Sequence, residues 1–119
     1  EFLKYMFNRY PRVQVDRRVP LDFVDPDRHT FTRPRKEVVC KDGFVVSLQA
    51  GKYYRSLPRE DKLTNYTHWE MGYPSQPPGK KFADYAENPD APPDETIYNY
   101  VPTELVLELI NSHGGPVNG

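Results

Sequence analysis

Residues 37–49, EVVCKDGFVVSLQ, decide the fold class. Two runs of β-branched and aromatic residues, 37–40 and 44–49, flank Lys41-Asp42-Gly43. Asp-Gly tolerates the positive φ that a tight connection between antiparallel strands demands, so the stretch predicts a β-hairpin. Ala50-Gly51 then marks the end of the second strand or a bulge.

Downstream, residues 66–71 (YTHWEM) predict a further strand, closed by Gly72 and Pro74. Alternation assigns Trp69 and Met71 to the core and places Tyr66, His68 and Glu70 on the other face. Residues 96–101 (TIYNYV) alternate as well and predict a strand running straight into a helix. Pro102 suits the first helical position, because it has no N–H to leave unpaired. Leu105, Val106, Leu109 and Ile110 give that helix its apolar stripe. His113 is expected as a charge partner for its negative end, and Gly114-Gly115 as the stop. Between these strands, residues 80–87 predict a short helix with Phe82 and Tyr85 facing inward. SQPPG (75–79) and NPDAPPD (88–94) read as loops.

Upstream, residues 1–10 (EFLKYMFNRY) predict a short helix ended by Pro11. Residues 12–36 have no sustained period, and Pro20 and Pro26 exclude a central strand. They read as an extended wrap carrying Arg28, Arg33, Arg35 and Lys36 over the surface. The expected protein is therefore α+β. A small antiparallel sheet of three to five strands carries a C-terminal amphipathic helix packed on it and an extended N-terminal segment. Residues 1–36 form the helix and wrap, 37–115 a compact domain, and 116–119 a tail.

Composition bounds the function. Among 119 residues, 37% are apolar and 13 are proline, and mean hydropathy is -0.81. Much of the chain is thus loop around one modest core. Cys40 is the lone cysteine, which gives no disulfide framework and favours a reducing, cytoplasmic setting. No run approaches the roughly 18 apolar residues of a membrane span. The net charge of -1 conceals a division. Residues 1–62 hold 14 basic against 9 acidic side chains, whereas residues 63–119 hold 2 against 8. Such halves attract each other within one molecule or between copies, so a homo-oligomer is among the expected states. The basic density is too low for a nucleic-acid arm.

The candidate recognition stretch runs from Phe44 to Ser75. Tyr53, Tyr54, Arg55, Arg59, Tyr66, Trp69 and Glu70 form its candidate binding set. Tyrosine and arginine combine large contact area with directional donors, and arginine also pairs bidentately with carboxylate or phosphate. A long loop in a compact domain is functional or mobile. The alternative reading has Tyr53 and Tyr54 pinning the loop while the arginines pair with the acidic half. His29, His68 and His113 stand singly, without metal-ligand spacing, and no phosphate-cradling glycine loop occurs. The sequence assigns no catalytic residue, metal or cofactor.

Three blocks, taken in order, resemble a family of short hypothetical proteins of phages and bacterial genomes. They are Ser47-Leu-Gln-Ala50 with Tyr54 and Pro58-Arg59, then Tyr66-Thr67 with Glu70-Met-Gly-Tyr-Pro-Ser75, then Tyr98-Asn-Tyr-Val-Pro-Thr-Glu-Leu-Val106 with His113-Gly-Gly115. The resemblance covers residues 44–115. It departs from the family at Trp69, where valine is usual, and at Asn99, where glycine is usual. It implies a phage or mobile-element accessory protein and no particular chemistry. Combined with the binding set, it leads to an expected non-enzymatic binding protein. Such a protein acts on a host (defence) factor or sequesters a small anionic nucleotide signal. A virion or assembly subunit whose N-terminal arm wraps a neighbour is the alternative.

Overall fold

The computed structural model describes Val24, residues 34–61 and residues 66–117. The helix expected over residues 1–10 and nearly all of the wrapping segment lie outside the described residues.

The hairpin forms where Asp-Gly places it. Strand β1 (Val38–Val39) pairs antiparallel with β2 (Val45–Gln49), with Val39 opposite Val45. Gly43, at φ 95°, closes the three-residue connection by donating its N–H to the Cys40 carbonyl at 2.9 Å. Asp42 Oδ1 accepts the Phe44 N–H at 2.9 Å, so the turn residue holds its own strand. Strands β3 (His68–Gly72) and β4 (Ile97–Pro102) complete a four-stranded sheet of order β1-β2-β3-β4. Every neighbouring pair is antiparallel. A 3-10 helix (Lys80–Tyr85) lies in the β3–β4 connection, and helix α1 (Thr103–Ser112) follows β4 directly.

Alternation then builds the core. Val46 and Leu48 of β2, Trp69 and Met71 of β3, and Tyr98 and Val101 of β4 are buried, while Val45, Ser47, His68 and Glu70 between them are only partly so. Helix α1 lays Val106, Leu109 and Ile110 onto this face, and the 3-10 helix adds Phe82. Leu105 sits at the edge of the stripe and is half-buried, and Thr103 takes a core position instead. The Thr103 hydroxyl satisfies itself by donating to the Tyr66 carbonyl at 2.8 Å. Val24 is buried with the same cluster.

Several boundaries differ from the sequence reading, among them the short helix expected over residues 80–87, which is a 3-10 helix ending at Tyr85. Strand β3 begins at His68, not Tyr66, because Leu57 and Thr103 capture the segment before it. The Thr67 N–H donates to the Leu57 carbonyl at 2.9 Å, and the Thr67 carbonyl accepts the Thr103 N–H at 3.0 Å. Pro102 is the last residue of β4 and the cap of α1, which starts one residue later. Residues 116 and 117, expected as a tail, run beside β1. Pro116 lies opposite Cys40, and the Val117 N–H donates to the Val39 carbonyl at 2.8 Å.

Gly114 and Gly115, at φ 89° and 83°, make this return possible, since the left-handed region excludes most side chains. The Gly115 N–H closes the end of α1 on the Ile110 carbonyl at 3.0 Å. His113 has a larger role than helix-end charge. Its ring stacks on Phe44 with centroids 4.0 Å apart, and its Nδ1 lies 2.7 Å from Asp42 Oδ2. The Phe44 N–H, and then His113, hold the Asp42 carboxyl below its ordinary 3.8. The helix end is thus fastened to the hairpin turn.

Candidate functional site

The loop after β2 is pinned along its length. The buried Ser56 accepts the Gly51 N–H at 3.0 Å, and the Tyr54 N–H folds back onto the Gly51 carbonyl at 3.2 Å. Asp61 Oδ1 accepts the Lys52 N–H at 3.1 Å and closes the loop across its neck. A side chain is disfavoured at Gly51. A Cβ at this position would stand 2.9 Å from Asp61 Oδ1, and its φ of 153° already disfavours a side chain.

The far side of the loop is tied to the sheet. Between Trp69 and Met71 the β3–β4 ladder slips, so that Asn99 and Tyr100 of β4 together oppose Glu70. Tyr100 takes φ 55°, and its N–H donates to the Arg55 carbonyl at 3.0 Å. A bulge frees one backbone group from the ladder, and here that group anchors the loop. Glu70 Oε1 accepts the Arg55 N–H at 3.0 Å, so both polar atoms of one peptide residue are held from β3 and β4. Leu57 then rejoins the sheet opposite His68, and the Tyr66 hydroxyl donates to the Glu60 carbonyl at 2.7 Å.

The seven candidate residues therefore divide. Tyr53 is 81% exposed, and Arg55 and Arg59 are also exposed. Tyr54 is half-buried, with its ring against Gly51, and serves the loop's own packing. Glu70 is committed to holding Arg55. Tyr66 and Trp69 are each 1% exposed and pack edge to face in the core, 5.3 Å apart, where no surface partner reaches them. What remains exposed is one ring and two guanidinium groups, on a loop whose backbone is held at Gly51, Lys52, Tyr54, Arg55 and Leu57.

Lys52 belongs with these residues and escaped the sequence reading. Its ammonium lies 5.3 Å from the centre of the Tyr53 ring, a cation–π distance. The signal was its adjacency to Tyr53. Arg35, read as a surface cation of the wrapping segment, is instead buried. Its guanidinium lies 5.5 Å from the Tyr66 ring and 5.4 Å from the Trp69 ring, and it donates to the Ala50 carbonyl. It braces the floor beneath the loop.

Of the residues suited to nucleophilic or acid–base work, Cys40 lies at the hairpin opposite Pro116, and His68 lies opposite Leu57 at the end of the loop. Cys40 is fully buried, and burial, aided by the Asp42 charge, pushes its thiol up to about 11. His68 Nδ1 is 2.9 Å from the Thr67 hydroxyl. Among the described residues, no group of three or more His, Cys, Asp or Glu side chains could hold a metal ion. Native protein at pH 8 is expected to leave Cys40 unmodified by a thiol reagent over hours, and denatured protein to be modified within minutes. Rapid labelling of the native protein, followed by mass spectrometry, would show the site to be open.

No family model matches the chain, and no curated protein or solved structure matches it either. Among the described residues, no helix is long and apolar enough to cross a membrane.

Proposed function

We propose that this protein is a non-enzymatic binding module of a phage or mobile element, and that its pinned loop docks on an acidic surface of a host factor. The observation that carries the reading is the division of labour within residues 51–61. Backbone groups of Gly51, Lys52, Tyr54, Arg55 and Leu57 are bonded within the protein, while the side chains of Lys52, Tyr53, Arg55 and Arg59 are left outside. A loop ordered before binding avoids most of the entropy cost of association. Exposed tyrosine and arginine are the side chains that dominate protein interfaces.

A protein surface is favoured over a small nucleotide because the loop projects. Small ligands are held in concave sites that bury most of their surface, and none of the exposed loop residues lines the cleft described below. Arg59→Ala is expected to weaken binding of a purified host partner about 5- to 30-fold, which is roughly 1–2 kcal/mol. The melting temperature should stay within about 2 °C, as surface substitutions rarely exceed 0.5 kcal/mol. The partner would be captured from host lysate on wild-type protein and measured by calorimetry. Unchanged affinity, or a loss of stability matching the loss of binding, would overturn this reading.

A further inference from the structure

The β3–β4 connection forms an open cleft of about 360 Å³ against β4. Its walls are mainly small and apolar, with Ala83, Ala86, Ala91, Pro89 and Pro93 around the Tyr98 ring. The walls are built in advance. Ala86 bridges to Tyr98, the Glu87 N–H donates to the Ile97 carbonyl at 2.9 Å, and the Asn88 N–H donates to Thr96 Oγ1 at 3.2 Å. The Tyr98 hydroxyl donates to the Pro93 carbonyl and fixes the back wall. The chain around the cleft is acidic. Residues 84–95 carry Asp84, Glu87, Asp90, Asp94 and Glu95 and no basic side chain, and Lys80 is the single cation among the described residues of the lining.

This cleft is the complement of the loop. One presents an apolar hollow among carboxylates, and the other a projecting ring among cations. Resting on the reading of residues 51–61 as a binding element, we infer that its partner includes a second copy of this chain. Tyr53 of one molecule seats in the cleft of the next, and Arg55 and Arg59 face Asp90 and Asp94. Size permits it, since an apolar cavity of about 150 Å³ already holds a benzene ring. The molecule's own ring does not fill the space, because Tyr53 is 81% exposed. The loop and the cleft are different patches, so the contact is heterologous. It propagates head to tail and closes into a ring only if the rotation allows. The opposed charges of the two halves of the chain steer the encounter, which makes it sensitive to salt.

The test is sedimentation velocity on the full chain from about 5 to 200 µM, at about 50 and 500 mM NaCl, where screening shortens from roughly 14 to 4 Å. Wild type is expected to sediment faster as concentration rises at low salt and to revert towards monomer at high salt. Tyr53→Ala should remain monomeric. So should the loop variant Arg55→Glu/Arg59→Glu alone, and the cleft variant Asp90→Lys/Asp94→Lys alone. An equimolar mixture of these two reversed variants should associate again, because every loop then meets a cleft of opposite charge. Circular dichroism melts of each variant establish that it is folded. Wild type that stays monomeric at 200 µM, or a reversed mixture that fails to associate, overturns the inference. If wild type is monomeric while Arg59→Ala still loses its host partner, the loop reading stands and only self-docking falls.

Discussion

Trp69→Ala is expected to lower the stability of the domain by about 3–5 kcal/mol, the range for truncating a buried tryptophan. Few domains of this size hold more than about 5–15 kcal/mol in total, so the variant should be partly unfolded at 37 °C. The site has little means of collapsing. Trp69 lies on the inner face of a central strand, opposite Val101 of β4, with the Tyr66 ring against its edge and the Arg35 guanidinium over its face. Trp69→Phe separates volume from polarity. The indole N–H is buried without a hydrogen-bond partner, so its removal forfeits no bond, and the phenyl ring restores part of the lost contact. The phenylalanine variant should therefore lose less than half as much. Urea denaturation followed by far-ultraviolet circular dichroism measures both. A loss below about 1 kcal/mol for Trp69→Ala would remove Trp69 from the core.

Arg35→Ala carries the second large effect, about 2–4 kcal/mol. It removes a charge-assisted hydrogen bond to the Ala50 carbonyl and two cation–π contacts, and it leaves space beneath the loop. The reciprocal bonds between the Arg35 backbone and the Gln49 amide survive, so the segment keeps its course. Arg35→Met fills the same volume without charge, and replacing a buried ion by a well-packed apolar side chain can be nearly neutral. It should lose less than half as much as the alanine variant. Trp69 is the sole tryptophan of the chain, so its fluorescence reports on this contact directly. Alanine should shift the emission of the folded state, and an unchanged spectrum with unchanged stability would place the guanidinium elsewhere.

These two residues also show what can be read from a sequence and what cannot. The hairpin was legible because Asp42-Gly43 supplies a local backbone preference that little else uses. The inward turn of Trp69 was legible because period-two alternation leaves one choice of face. Arg35 was not, since nothing local separates a buried arginine from its exposed neighbours. Its position depends on two rings more than 30 residues away along the chain. Tyr66 was misplaced for a related reason. It continues the strand pattern in sequence, but Leu57 and Thr103 draw its segment off the ladder. The bulge that anchors the loop was hidden as well. Tyr100 occupies the left-handed conformation, and a tyrosine gives no sign of that. Tyr53, Arg55 and Arg59 were singled out by residue type alone. The loop that carries them is held by Ser56, Asp61 and Glu70, none of which is unusual by itself. The cleft was invisible because alanines and prolines in a polar loop carry no periodic signal.

The return of residues 113–117 to the hairpin has a consequence for synthesis. Val39 and Val117 are bonded neighbours although nearly the whole domain separates them along the chain. A ribosome delivers β1 and β2 first, and their outer edge and the Phe44 ring then wait for His113 and the strand segment after it. Until residues 113–117 emerge, the nascent chain carries an open strand edge of the kind that recruits other strands. Closure of this edge therefore waits until residues 113–117 have been made, and yield in a cell should depend on what shields the edge during the interval.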